Sequence, residues 1–167
     1  MPSGLILGGA IYLVQKPPSR LPVVHINIFF QVLAVSAAEV FVCWGLFGTM
    51  TGAFMASYMI IPPIILSGFL SALVFGLYHL GHSPPFNNGK MILFLTVVGL
   101  FTSMFFFISR NLFGTLLFHN FLGMKGVIGS LRDQERLEEY NRLKPVLIIQ
   151  GLTALLIMVV IVVLVRM

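Results

Sequence analysis

Charge is what this sequence lacks. Asp, Glu, Lys and Arg make up 9% of its 167 residues and hydrophobic residues 58%, whereas a soluble domain carries about 25% charged residues to cover its surface. An ordinary soluble fold is therefore excluded, and lipid must meet the deficit. Between Pro22 and Pro85 there is no Lys or Arg, and Glu39 is the only acid. The remaining acids, Asp133, Glu135, Glu138 and Glu139, fall in one short stretch near the C-terminus. Cysteine is nearly absent as well: Cys43 stands alone in an apolar run, which rules out a disulfide framework and a Cys-based metal site. The net charge of +5 at pH 7 belongs to loops. With no basic run interleaved with aromatics, it reads as membrane orientation and contact with anionic lipid headgroups, and nucleic acid is not expected as a partner.

What is present is apolar length. Residues 5–14 lack a preceding positive charge and a clear cleavage site, so they do not read as a secretory signal. At about ten residues they are also too short to span a bilayer. They read as an interfacial or re-entrant piece, or as the tail of a helix begun further upstream. Pro17, Pro18 and Pro22 separate them from the body. Residues 23–80 are long enough for two spans, divided between Gly52 and Pro63, with the second running over about 64–82 and stopping before Ser83-Pro84-Pro85. Residues 91–108 and 112–129 are two more, joined by the turn at Ser109-Arg110-Asn111, and residues 146–165 make a last, nearly featureless span. Between Ser130 and Lys144, mixed charges at helical spacing predict a short amphipathic helix on the membrane surface.

The expectation is thus an all-α, polytopic helical membrane protein. It has about five transmembrane helices, a short N-terminal apolar segment and a surface helix, in one integral membrane domain whose motif-bearing core is about 23–129. With the N-terminus in the cytoplasm, Lys16, Arg20, Lys90, Lys125, Arg132, Arg136, Arg142 and Lys144 lie inside, and Arg110 and Arg166 outside. Positive residues favour that orientation.

Chemistry is concentrated in three residues within apolar helices: Glu39, His79 and His119. A carboxylate in a membrane span costs about 2.5–3.5 kcal/mol on insertion scales, so it faces a bundle interior and has partners. A neutral imidazole satisfies itself more easily, against a single carbonyl, and His25 and His82 lie near helix ends, where an interfacial role suffices. Two imidazoles and a carboxylate together make an acid–base set able to activate water and stabilise an oxyanion. Glu39 and His79 are equidistant from residue 59, inside the turn between two spans, which puts them at similar depth. His119 follows Arg110 by nine residues, roughly 13 Å at the helical rise. The same three residues are a conceivable zinc set, but His-Glu-x-x-His is absent and no metal is expected. A bis-histidine haem or quinone site on His79 and His119 is the third alternative, and it leaves Glu39 unexplained.

Glu39-Val-Phe-Val-Cys-Trp-Gly45, Ser71-Ala-Leu-Val-Phe75-Gly-Leu-Tyr-His79 and Ser109-Arg-Asn-Leu-Phe-Gly-Thr-Leu-Leu-Phe-His119 occur in that order. The chain over about residues 30–124 resembles the CPBP family, the CAAX proteases and bacteriocin-processing (Abi) enzymes. That family carries Glu-Glu-x-x-x-Arg-Gly, then Phe-x-x-x-His, then His-x-x-x-Asn. The resemblance implies an intramembrane endopeptidase without a cofactor, in which Glu39 activates water, His79 and His119 complete the catalytic set, and Phe75 and Asn120 lie on the substrate side. The departures are Val40 for the second Glu, Trp44 for the Arg and Gly123 for the Asn. All three remove polar groups, so the resemblance also implies a weakened or non-catalytic relative, a subunit packed among membrane partners rather than an enzyme acting on a membrane protein substrate.

Overall fold

The computed structural model describes residues 2–17, 19–57 and 62–166. It is helical throughout: α1 (Pro2–Val14), α2 (Pro22–Glu39), a π-helical stretch (Val40–Gly48), α3 (Thr49–Ala56), α4 (Pro63–Tyr78), α5 (Gly89–Ser109), α6 (Leu112–Asp133) and α7 (Pro145–Arg166), with single 3₁₀ turns at His79–Gly81 and Leu137–Tyr140. Four helices among the described residues are long and apolar enough to cross a membrane: Pro22–Ala56, Pro63–Gly81, Gly89–Ser109 and Pro145–Val165. The protein is an all-α, membrane-type helical protein.

The span expected over residues 112–129 is helical, within the 22-residue α6, but α6 is not among those four. His119, Asn120, Lys125 and Arg132 interrupt its apolar surface. The surface segment after it is helical but divided. α6 ends at Asp133, Glu135 turns the chain with φ 59, and the 3₁₀ turn at Leu137–Tyr140 follows. A non-glycine residue in the left-handed region ends a helix rather than continuing it. The turn expected around residue 59 falls on residues 58–61, outside the described residues.

Local chemistry accounts for the boundaries. Pro63 takes the first position of α4, where its missing N–H costs nothing. Asn88 caps α5 by accepting from the Met91 N–H at 2.8 Å, and Arg110 closes that helix with φ 48. Asn111 then starts α6 by accepting from the Gly114 N–H at 2.9 Å. The π-helical stretch is longer than the usual single-turn bulge. Hydroxyls at its C-terminal end cover its carbonyls: Thr49 Oγ1 donates to Gly45 O at 2.5 Å and Thr51 Oγ1 to Phe47 O at 2.8 Å.

The chain forms two compact units, one of residues 1–38 with 116–167 and one of residues 39–115. In the first, Tyr12, Val24, Ile28, Val32, Met124, Ile128, Leu131 and Tyr140 make a buried core. Glycines let backbones meet there. A Cβ at Gly8 would stand 3.1 Å from Phe118 Cα, and one at Gly151 only 2.6 Å from Phe30 O. Close approach at small residues is how helices associate where no hydrophobic force separates them from lipid. Asn27 on α2, fully buried, ties down the segment before α7. Its Nδ2 donates to Tyr140 O at 2.9 Å and Arg142 O at 2.8 Å, and its Oδ1 accepts from the Lys144 N–H at 2.9 Å.

In the second unit, α4 packs along α5, where a Cβ at Gly99 would stand 3.0 Å from Ala72 Cα. Trp44, fully buried, donates from Nε1 to Ser103 Oγ at 2.7 Å, and Ser103 Oγ donates onward to Gly68 O at 2.7 Å. This relay joins the π-helical stretch, α5 and α4. Outward-facing side chains are apolar and large, with Phe94 and Leu93 on α5 and Ile149 and Leu156 on α7 all more than half exposed. Such faces belong against lipid or other membrane helices.

The Asn27 clamp yields a first prediction. Asn27→Ala removes three hydrogen bonds and leaves two carbonyls and an N–H without their partner, an expected loss of about 2–4 kcal/mol. Asn27→Asp turns the two donors into acceptors facing carbonyls and is expected to be at least as damaging. Unfolding in detergent micelles measures both, and a wild-type midpoint for either variant would show that Asn27 is not a clamp.

Candidate functional site

Glu39 is the last residue of α2, at the junction with the π-helical stretch, and His79 opens the 3₁₀ turn at the end of α4. Both are buried, at 8% and 6% exposure, and His79 Nε2 stands 3.7 Å from Glu39 Oε1. The similar depth inferred from their sequence spacing is thus realised as a contact.

The tautomer of His79 follows from its other nitrogen. Nδ1 lies 2.8 Å from the carbonyl oxygen of Phe75, one turn back on the same helix. A carbonyl only accepts, so Nδ1 carries a proton, and Nε2 is the nitrogen presented to Glu39. In the neutral ring that Nε2 is an acceptor facing a carboxyl oxygen. The pair is favourable only when a proton lies between them, on the acid or on the imidazole, or when water bridges them.

Aromatic rings fix the imidazole. Phe75 meets it edge-on with centroids 4.8 Å apart, Trp44 packs on Phe75 at 5.3 Å, and Tyr78 stands edge-on at 5.3 Å. His82, half-buried, stacks on His79 at 4.7 Å with 25° between the planes. Sequence reading gave His82 an interfacial role alone. Its i, i+3 spacing from His79 was the available signal, since residues at that spacing share a helix face. Its Nδ1 is buried with no hydrogen-bond partner among the described residues. Ser71 Oγ is buried in the same condition, and a Cβ at Gly48 would come within 2.7 Å of it.

His119 and Asn120 belong to the first unit, on α6, and are buried at 3% and 0%. Asn120 Nδ2 donates to Phe29 O at 3.3 Å, while its Oδ1 has no partner among the described residues. Of the three expected catalytic residues, the pair brought together within one unit is Glu39 with His79, with Phe75 as their packing and hydrogen-bonding neighbour. No group of three His, Cys, Asp or Glu residues converges as a metal-binding set among the described residues. An iron bound at His79 Nε2 would have to displace Glu39.

Val40, Trp44 and Gly123, where the expected motif pattern is not met, all lie among the described residues, and Val40 and Trp44 are fully buried. The Trp44 indole is held by Ser103 inside a packed core, so its position is filled. At Gly123, a Cβ would stand 2.8 Å from Val32 Cγ1. The atom in the way is a side-chain methyl group, so an asparagine there requires Val32 to shift.

Fold and site together define a helical membrane-type protein with a buried carboxyl–imidazole pair. Comparison with protein-family models, with curated proteins and with solved structures gives no match to this chain.

An asparagine at position 123 is therefore expected to be costly. Gly123→Asn is expected to lower stability by about 1–3 kcal/mol through overpacking, and Val32→Ala in the same chain should recover most of it by vacating the space. Detergent unfolding midpoints of the single and double variants test this; additive losses in the double variant would contradict the close approach.

Proposed function

We propose that this chain is a CPBP-like integral membrane protein that acts as a subunit packed among membrane partners, its proteolytic chemistry lost or reduced to a trace. The observation that carries this is Trp44. Where the family's motif has an Arg, this chain has a fully buried indole whose one donor is committed to Ser103. An indole offers no charge to a carboxylate and no free donor to an oxyanion. Gly123 likewise offers no donor where the family has Asn. Removing a single oxyanion donor typically lowers turnover by about a hundredfold or more. The exposed apolar side chains of α5 and α7 provide surface for neighbouring membrane helices.

A second reading, an active glutamate-dependent intramembrane endopeptidase, is favoured by the 3.7 Å approach of Glu39 and His79. That separation leaves room for one water bonded to both, from which the pair would take a proton as the hydroxyl adds to a peptide carbonyl.

Glu39→Gln separates the two, since it keeps size and hydrogen-bonding capacity while removing the ionisable group. Wild-type and variant protein are expected to be equally inert toward membrane-anchored peptides in liposomes, and to elute from solubilised native membranes in the same assembly, larger than the chain alone. Cleavage by the wild type that Glu39→Gln lowers about a hundredfold or more would establish the peptidase instead.

A further inference from the structure

α1 ends at Val14, and the chain leaves it through a left-handed residue: Lys16 has φ 49, with its N–H bonded to Leu13 O at 3.1 Å. Few side chains adopt that conformation without a structural reason. On α6, Lys125 and Arg132 are seven residues apart, two turns on one face, with Ile128 and Gly129 between them. The end of α1 and this face of α6 enclose a cleft of about 150 Å³ whose lining includes Tyr12, Lys16, Lys125, Ile128, Gly129 and Arg132.

Three cations thus share one small cavity, and the charge around it is not balanced. Arg132 is held by Asp133, with Nε at 3.0 Å and Nη2 at 2.8 Å from Oδ1. Lys16 and Lys125 have no carboxylate partner among the described residues. The other polar side chains in the lining are Gln15 and Tyr12, and the Tyr12 hydroxyl is already committed. His25 Nε2 faces the carbonyl of Ser19 at 3.0 Å and so carries the ring proton, which makes Nδ1 the acceptor for the Tyr12 hydroxyl at 2.5 Å. Burial pushes the Tyr12 phenol up to about 12, so it stays a neutral donor. Like charges in a shared cleft repel, and an anion between them relieves that repulsion.

We infer that this cleft binds the phosphate of an anionic phospholipid headgroup, with Lys16 and Lys125 as its charge partners. The size fits: the cavity equals about five waters at about 30 Å³ each, enough for a phosphate with its ester carbons. Lipid rather than free phosphate is the source because apolar surface adjoins the cations. Val14 and Leu13, two and three residues before Lys16 on α1, are 79% and 69% exposed, and Pro17 lines the cleft itself. An acyl chain has a surface to lie on, whereas a soluble phosphate gains nothing from it. Basic pockets of this kind between membrane helices are known as sites for acidic headgroups. The site uses none of the residues proposed for the carboxyl–imidazole chemistry.

Native mass spectrometry of the full chain in neutral detergent tests the site, with phosphatidylglycerol, phosphatidylcholine of the same chains and soluble glycerol phosphate as probes. Phosphatidylglycerol should be retained at least about tenfold better than phosphatidylcholine, and each of Lys16→Gln and Lys125→Gln should lower that retention about fivefold. Gly129→Leu supplies an independent block. A Cβ there meets no atom within 4 Å, so the helix should persist, checked by circular dichroism, while the larger side chain fills the cleft with every charge in place. Its retention of phosphatidylglycerol should fall to the phosphatidylcholine level. Equal retention of the two lipids by wild type, or unchanged phosphatidylglycerol retention in all three variants, would overturn the site. Glycerol phosphate binding as tightly as phosphatidylglycerol would overturn the lipid assignment.

Discussion

A carboxyl group in the apolar part of a membrane protein cannot be left to itself, and Glu39 is the only acid between residues 22 and 85. Its approach to His79 answers that constraint, and the local architecture is arranged to hold the answer in place. The imidazole is oriented from behind by the Phe75 carbonyl and clamped by the rings of Phe75, Tyr78 and His82. Trp44 braces Phe75 in turn and is anchored through Ser103 to Gly68. One polar contact is thereby tied to three helical elements. The same rule governs the first unit, where Asn27 satisfies three backbone groups ahead of α7. Polar side chains are few in this protein, and an apolar medium offers them no substitute partner, yet Gln31, Ser36, Ser71, His82 and Asn120 each keep one buried polar atom without a hydrogen bond among the described residues.

The second organising feature is the close approach of backbones. Gly8, Gly99 and Gly151 lie where a Cβ would press on neighbouring backbone. Gly123 lies where α6 meets Val32 of α2, and a Cβ there would stand 2.8 Å from that side chain. Trp44 is the counterpart in the other unit, a large, fully buried ring that fills its place in the core. On the CPBP-like reading proposed above, both positions lack the polar groups that hydrolysis would use, and a subunit role is favoured over an enzymatic one.

Much of the fold was legible because apolar runs and prolines are strong signals. Pro63 and the Ser83-Pro84-Pro85 stretch bracket α4 closely. The π-helical character of Val40–Gly48 was not legible, since an i, i+5 pattern leaves no distinct trace in an apolar sequence. The division of the surface segment at Glu135 was missed because charge pairing alone does not reveal a left-handed residue. At the site, Glu39 and His79, expected at similar depth, stand 3.7 Å apart. The Trp44–Ser103–Gly68 relay and the Asn27 clamp escaped because their partners lie from 35 to 117 residues away in sequence, beyond what periodicity can pair.

The protonation of the His79 ring is the most direct test of the central claim, that a carboxyl group and an imidazole face each other, buried, in a helical membrane protein. Nitrogen NMR of protein labelled at histidine, assigned with His79→Gln, reads each ring nitrogen separately. The geometry predicts a protonated Nδ1 and an Nε2 resonance that moves on Glu39→Gln, because Nε2 is the nitrogen facing that carboxyl. A bare Nδ1 with the proton on Nε2, insensitive to Glu39→Gln, would contradict the pair.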